Sequence, residues 1–224
     1  MLGFAAGIIL SSVTAAVAES VTHYRASSGG PLPVGVTAAD LVGLWIGLVG
    51  AAVWWSRVHG TGSLANDFGY RVGAWWDIPA GAALGLACQY GLIPLIYLPF
   101  VRSNPDLGRQ LSQPTHRTVG AAHTSGTLVV LLIFLAVGAP LVEELFFRGL
   151  LLRSLVRWAN PVVGVIGSGI LFGLAHFEPL QFAGLALFGV ILGAVAWRLE
   201  RLGPTVAAHM SFNAVAVLST VHLH

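Results

Sequence analysis

Seven long apolar runs that do not alternate with polar residues narrow the folds open to this chain more than any other feature. They lie at about 2–18, 38–55, 78–100, 126–146, 161–177, 180–198 and 204–221, and a spanning helix needs roughly 17 to 25 mostly apolar residues. A bilayer interior offers no water to backbone groups, so a segment there pairs its own N–H and C=O groups in a helix or a closed barrel. Barrel strands alternate at period two, which these runs do not. Only 9% of the 224 residues are charged and 56% are hydrophobic, whereas a soluble domain carries about a quarter charged residues. The expectation is an all-α, multi-pass bundle of about seven spans in the cell membrane. Residues 1–125 would supply N-terminal spans and loops, and 126–221 the part where polar side chains enter the apolar runs.

The first run resembles a signal peptide at Ala16-Val17-Ala18, but it lacks a basic leader and is read as a first span. All eleven basic residues are Arg and none forms a run, so the chain carries no nucleic-acid footprint. Arg57, Arg71, Arg153, Arg157, Arg198 and Arg201 fall on one expected side; Arg25, Arg102, Arg109 and Arg117 fall on the other. Six against four favours the first side as cytoplasmic. Trp54, Trp55, Trp75 and Trp76 flank the 56–77 loop as an interfacial belt would, and 101–125 reads as a polar loop. Cys88 is the only cysteine, which excludes a disulfide framework within the chain. Gly169-x-x-x-Gly173 and Gly189-x-x-x-Gly193 predict tight packing of neighbouring spans. Gln89 is nearly the only strongly polar side chain in the 78–100 run.

Charge inside hydrocarbon is costly, so an intramembrane ionisable residue points to function. Leu141-Val142-Glu143-Glu144-Leu145-Phe146-Phe147-Arg148-Gly149 places three such groups at the end of an apolar run. Glu144 and Arg148, at i and i+4, share a helix face and suit an ion pair, while Glu143 points away and is free to meet other helices. Pro140 should kink the helix and leave backbone groups open beside them. The next run ends in Phe172-x-x-x-His176, with Glu178 read as a helix-end acid. The last run carries His209 and Asn213, again at i and i+4, while Ser211 has no base in register. His23, His59, His116, His123, His222 and His224 fall in loops or at the tail and receive no role.

Glu-Glu-x-x-x-Arg, Phe-x-x-x-His and His-x-x-x-Asn, in that order and one per apolar run, resemble the motifs of intramembrane proteases related to the CAAX prenyl endopeptidase, the CPBP or Abi family. The resemblance covers roughly residues 126–221 and implies a membrane endopeptidase acting on a peptide or protein substrate. It implies catalytic roles for Glu143, Glu144, Arg148, His176, His209 and Asn213. Glu143 would deprotonate a water shared with His176, His209 and Asn213 would donate to the oxyanion, and Glu144 with Arg148 would orient the site. Glu143, His176 and His209 are also the candidate ligands of a divalent metal such as zinc, since two His and one Glu with an open position make an accepted catalytic site. No other cofactor is implied. Two further readings stand beside it: a non-enzymatic scaffold or immunity-type protein on the same fold, and a proton-coupled transporter, since buried Glu, His and Arg also build proton relays.

Overall fold

Each apolar run folds as a helix, because only internal pairing satisfies the backbone in a lipid-like setting. The computed structural model describes residues 2–22, 31–120, 122 and 124–221; His23, Arg25, His123, His222 and His224 lie outside them. The helices are α1 (Leu2–Thr22), α2 (Val34–His59), the single turn α3 (Leu64–Phe68), α4 (Asp77–Ser103), α5 (Asp106–Val119), α6 (Ser125–Trp158), α7 (Pro161–Leu174), α8 (Phe182–Leu199) and α9 (Gly203–Val221). Five of them, α1, α2, α4, α6 and α8, are long and apolar enough to cross a bilayer. Helix α7 has only 14 residues, about 21 Å at 1.5 Å per residue, against a hydrocarbon core of about 30 Å. Helix α9 has the length but carries His209 and Asn213. The seven expected spans are thus five full ones and two that are shorter or more polar.

The 101–125 segment corrects the loop expected there. Its centre is α5, an amphipathic helix with Arg109, Gln110, Gln113 and His116 along one side and Leu107, Leu111, Thr115 and Val119 along another. Pro105, Gly108 and Pro114 concealed it, although a proline before the first turn is compatible with a helix start.

Helix α6 is the axis of the bundle, packing against α2 on one side and α7, α8 and α9 on the other. It is not a uniform α-helix: Leu132–Gly138 and Leu145–Leu151 widen into i→i+5 turns on either side of Pro140. Helix α4 has the same widening at Cys88–Leu92. Cys88 is buried in a core cluster with Leu48, Phe146, Phe147, Phe172, Phe188, Leu192 and Ala208.

Between lipid-embedded helices, close van der Waals packing replaces the hydrophobic effect as the main attraction, which favours small residues at crossings. The expected glycine pairs sit at such a crossing: a Cβ on Gly169 would lie 2.5 Å from the Val190 amide nitrogen, and one on Gly189 would lie 2.8 Å from Gly169 Cα. A second pair that sequence reading missed, Gly81 and Gly85, lets α4 approach the carbonyls of Pro204 and Ala208 on α9.

One end of the bundle gathers all six arginines of the expected cytoplasmic side. Arg157 lies over the Trp55 ring at 5.2 Å, and Arg153 Nη2 donates to the Glu200 carbonyl at 3.4 Å. Arg201 grips the fully buried Asp77 with two bonds, Nε to Oδ2 at 2.9 Å and Nη2 to Oδ1 at 2.8 Å. The Gly73 and Ala74 amides donate to the same carboxylate at 2.7 and 3.0 Å. This clamp joins the start of α4 to the segment entering α9, and the Leu202 amide completes it by donating to the Gly69 carbonyl at 2.8 Å. Nearby, the Ser56 hydroxyl and then the Thr61 amide hold the Asp67 carboxyl below its ordinary range.

Gly169→Ala should lower the melting temperature in detergent, because overpacking a tight contact typically costs about 1–3 kcal/mol. Gly50→Ala, where an added Cβ meets nothing within 4 Å, should leave it unchanged or raised. Equal melting curves for the two variants would show that the α7–α8 crossing is not close-packed.

Candidate active site

A methylene-poor, polar centre lies where α6, α7, α8 and α9 meet. Arg148 and Glu144 have no side-chain exposure, and Arg148 Nη1 donates to Glu144 Oε1 at 2.7 Å. Its Nη2 donates to the Gly189 carbonyl at 3.3 Å, and its guanidinium lies 4.3 Å from the centre of the Phe172 ring. The close crossing at Gly169 and Gly189 brings that carbonyl within reach of α6. A desolvated cation over an aromatic face adds about 2 kcal/mol or more. The i,i+4 pairing expected from the sequence is present despite the widened turn.

Glu144 Oε1 also meets His209 Nδ1 at 2.9 Å. A carboxylate only accepts, so Nδ1 carries the hydrogen in this bond. The opposite ring nitrogen, Nε2, then faces Glu143 Oε2 at 3.8 Å. That oxygen is buried and has no hydrogen-bond partner among the described residues, and Glu143 keeps 13% side-chain exposure while Glu144 keeps none. The expected division holds: one glutamate is tied into structure, and its neighbour is turned towards another helix. The imidazole of His209 is wedged between Phe172 and Phe188, ring centres 5.5 and 5.6 Å away, both edge-on.

His176 sits in the turn after α7, its ring 4.7 Å from that of Phe172. Its Nδ1 bonds the Phe172 carbonyl at 2.8 Å. A carbonyl only accepts, so this bond also fixes the tautomer: in the neutral ring, Nε2 is left as an acceptor. Phe172 is therefore the hub between Arg148, His176 and His209.

Asn213 has a more structural setting than expected. Its Nδ2 donates to the Leu135 carbonyl at 2.9 Å. In the i→i+5 register of this turn, seen where the Ala139 amide bonds the Phe134 carbonyl, Leu135 would be paired by residue 140. Pro140 has no N–H to give. Asn213 thus satisfies the backbone group that Pro140 leaves open, and its second amide hydrogen remains. Ser211 donates to the Ala82 and Ala208 carbonyls, both at 3.0 Å, and has no base beside it.

The site unites Glu143, Glu144, Arg148 and His209 directly, and joins His176 through Phe172. Asn213 stands one turn along α9 from His209. Residues that sequence reading missed are Gly189, whose carbonyl closes the Arg148 contacts, and Tyr70, whose hydroxyl donates to the Leu141 carbonyl at 3.3 Å. The clamp residue Asp77 was visible only as an acid at the edge of a span. Among the described residues no group of three or more His, Cys, Asp or Glu side chains is placed to hold a metal ion.

Residues 125–215 match the family model described as type II CAAX prenyl endopeptidase Rce1-like. These helices, α6 to most of α9, are thus similar to an Rce1-like domain. No curated protein and no solved structure matches the chain. The matched stretch takes in all of the polar centre, from the start of α6 to just beyond Asn213. The matched model is that of a membrane endopeptidase family, and the long apolar helices are in keeping with the likeness.

Removing one partner of a buried ion pair strands the other charge and typically costs about 3–5 kcal/mol. Arg148→Met should therefore cause a large drop in melting temperature. The double variant Glu144→Gln, Arg148→Met should recover part of it, because no stranded charge is left. A double variant that melts lower than Arg148→Met would contradict the pairing.

Proposed function

We propose that the protein is an intramembrane endopeptidase in which Glu143 activates water for attack on a peptide bond. The observation that carries this reading is the buried, unpartnered Glu143 Oε2 lying 3.8 Å from His209 Nε2. At that separation two polar groups do not bond directly, and a shared water is the natural bridge. The acceptor state of His176 Nε2 suits a second contact to such a water.

The proposed reaction balances as follows. Water gives a proton to the Glu143 carboxylate, and its oxygen bonds to the substrate's carbonyl carbon. The carbonyl electron pair moves onto oxygen, and the resulting oxyanion is met by the remaining Asn213 N–H. The tetrahedral intermediate then collapses, the C–N bond breaks, and the proton on Glu143 passes to the leaving amine. His209 adds a donor at Nε2 only in its doubly protonated form. Glu144 and Arg148 position His209 and touch no substrate in this scheme. No step runs through a metal.

The substrate class proposed is a peptide or protein delivered at the membrane. The arginine-rich end is proposed to face the cytoplasm of a cell membrane, following the positive-inside tendency.

General-base catalysis contributes about 10²–10⁴-fold. Glu143→Gln should reduce cleavage of peptides presented in lipid nanodiscs by at least about 10²-fold while leaving the melting temperature near wild type. His176→Ala should also be strongly impaired. Equal cleavage by wild type and both variants would remove the enzymatic reading, and loss of wild-type activity only on adding a chelator would replace the metal-free route.

A further inference from the structure

A cavity of about 730 Å³ lies between α1, α2 and α6, on the α2 side of α6 and away from the polar centre. Its volume falls within the range of about 300–1,000 Å³ for small-ligand pockets. Small residues open it. A Cβ on Gly3 would lie 2.1 Å from Ala51 Cβ, so the glycine draws α1 tightly onto α2. Ala6 and Gly50 then leave a gap that Leu150 and Leu151 of α6 do not fill. Apolar atoms around such a gap lack dispersion partners on the open side. Ile46 and Trp54 line it and are 56% and 60% exposed, so it is reached from outside the bundle.

The mouth of this apolar cavity is cationic. On α2 the lining residues Ile46, Gly50 and Trp54 follow one face, and Arg57 continues that face one turn on. On α6 Leu150 and Ser154 do the same, and Arg157 follows them. The Arg157 guanidinium lies 5.2 Å from the centre of the Trp55 ring, itself part of the cavity wall. Both arginines are exposed, and among the described residues neither forms an ion pair with a carboxylate. Acids at this end are engaged elsewhere. Asp67 accepts from Ser56 and Thr61, Asp77 accepts from Arg201, and Glu200 borders a different pocket between α6 and α8.

Depth and charge together identify the occupant. From Ile46 to Trp55 the α2 wall rises about 14 Å at 1.5 Å per residue. That is about half of a hydrocarbon core of about 30 Å, the reach of one leaflet. Tryptophans gather at the head-group level, which sets Trp54 and Trp55 at the boundary and the two guanidiniums just beyond it. A neighbouring apolar helix could fill the slot but would leave both cations unmatched. A lipid chain hanging from an anionic phosphate matches both parts, and basic pockets beside spanning helices hold such head groups.

We infer that this cavity holds one acyl chain of an anionic phospholipid whose phosphate is bound by Arg57 and Arg157. None of its residues belongs to the polar centre, so the site stands or falls separately from the endopeptidase reading.

The test is native mass spectrometry of the full-length protein in detergent, titrated with phosphatidylglycerol or with phosphatidylcholine of the same chains. Wild type should retain one phosphatidylglycerol at a roughly 25-fold lower concentration than phosphatidylcholine, since each basic residue near the surface contributes about fivefold. Arg57→Gln combined with Arg157→Gln should erase that preference. Gly50→Phe puts a ring into the cavity at a position where an added Cβ meets nothing within 4 Å. It should lose the retained lipid of either kind while melting, without lipid, near wild type. Glycerol 1-phosphate, which has the phosphate and no chain, should not displace the lipid. Equal retention of the two lipids by wild type, an unchanged preference in the double arginine variant, or full retention in Gly50→Phe overturns the site. Displacement by glycerol 1-phosphate would reduce it to a phosphate contact and overturns it too, as does a wild-type dimer that Gly50→Phe dissociates, which would give the cavity to a second copy.

Discussion

A guanidinium with no solvent contact sets the terms for the rest of this bundle. Arg148 lies at the centre of a lipid-embedded structure, where an unpaired charge would be intolerable. Its partners come from its own helix (Glu144), from α8 (the Gly189 carbonyl) and from α7 (the Phe172 ring). Glu144 in turn holds His209 on α9. Four helices are thus fixed around one cation, and the side chain left over, Glu143, faces the imidazole without being consumed by the network. The polar network orders the helices and leaves Glu143 facing His209 at the same time.

Two kinds of backbone irregularity make that arrangement possible. Glycine-lined crossings bring carbonyls close enough to serve as side-chain acceptors. The widened turns of α4 and α6 place Gln89 and the two glutamates where regular α-helices would not. Pro140 is central here: it removes one donor, and Asn213 supplies another from a different helix. An amide that reads in sequence as a catalytic group is first a repair of the backbone.

Much of the fold was legible because the bilayer allows so few solutions. Apolar runs of sufficient length could only be helices, and all seven are. The Glu144–Arg148 pair followed from i,i+4 spacing, and the freedom of Glu143 followed from the same geometry. Helix α5 was hidden because two prolines and a glycine in a polar stretch resemble a loop and mask the 3.6-residue pattern beneath them. The Asp77–Arg201 clamp joins residues far apart in the chain, and local spacing carries no trace of such a contact. The role of Asn213 was equally out of reach, since it depends on a turn geometry that spacing rules assume to be regular.

The two wide turns of α6 bracket Ala139–Glu144, the short α-helical stretch that holds both carboxylates. A rod interrupted on both sides behaves as three segments with separate rotational phase. Insertions or deletions of single residues could therefore re-index the lipid-facing lower part, or the upper part under the arginine rim, by absorbing or creating a wide turn. The carboxylates would keep their heading towards α9 throughout. Such a swivel decouples adaptation of the outer surface from upkeep of the polar core.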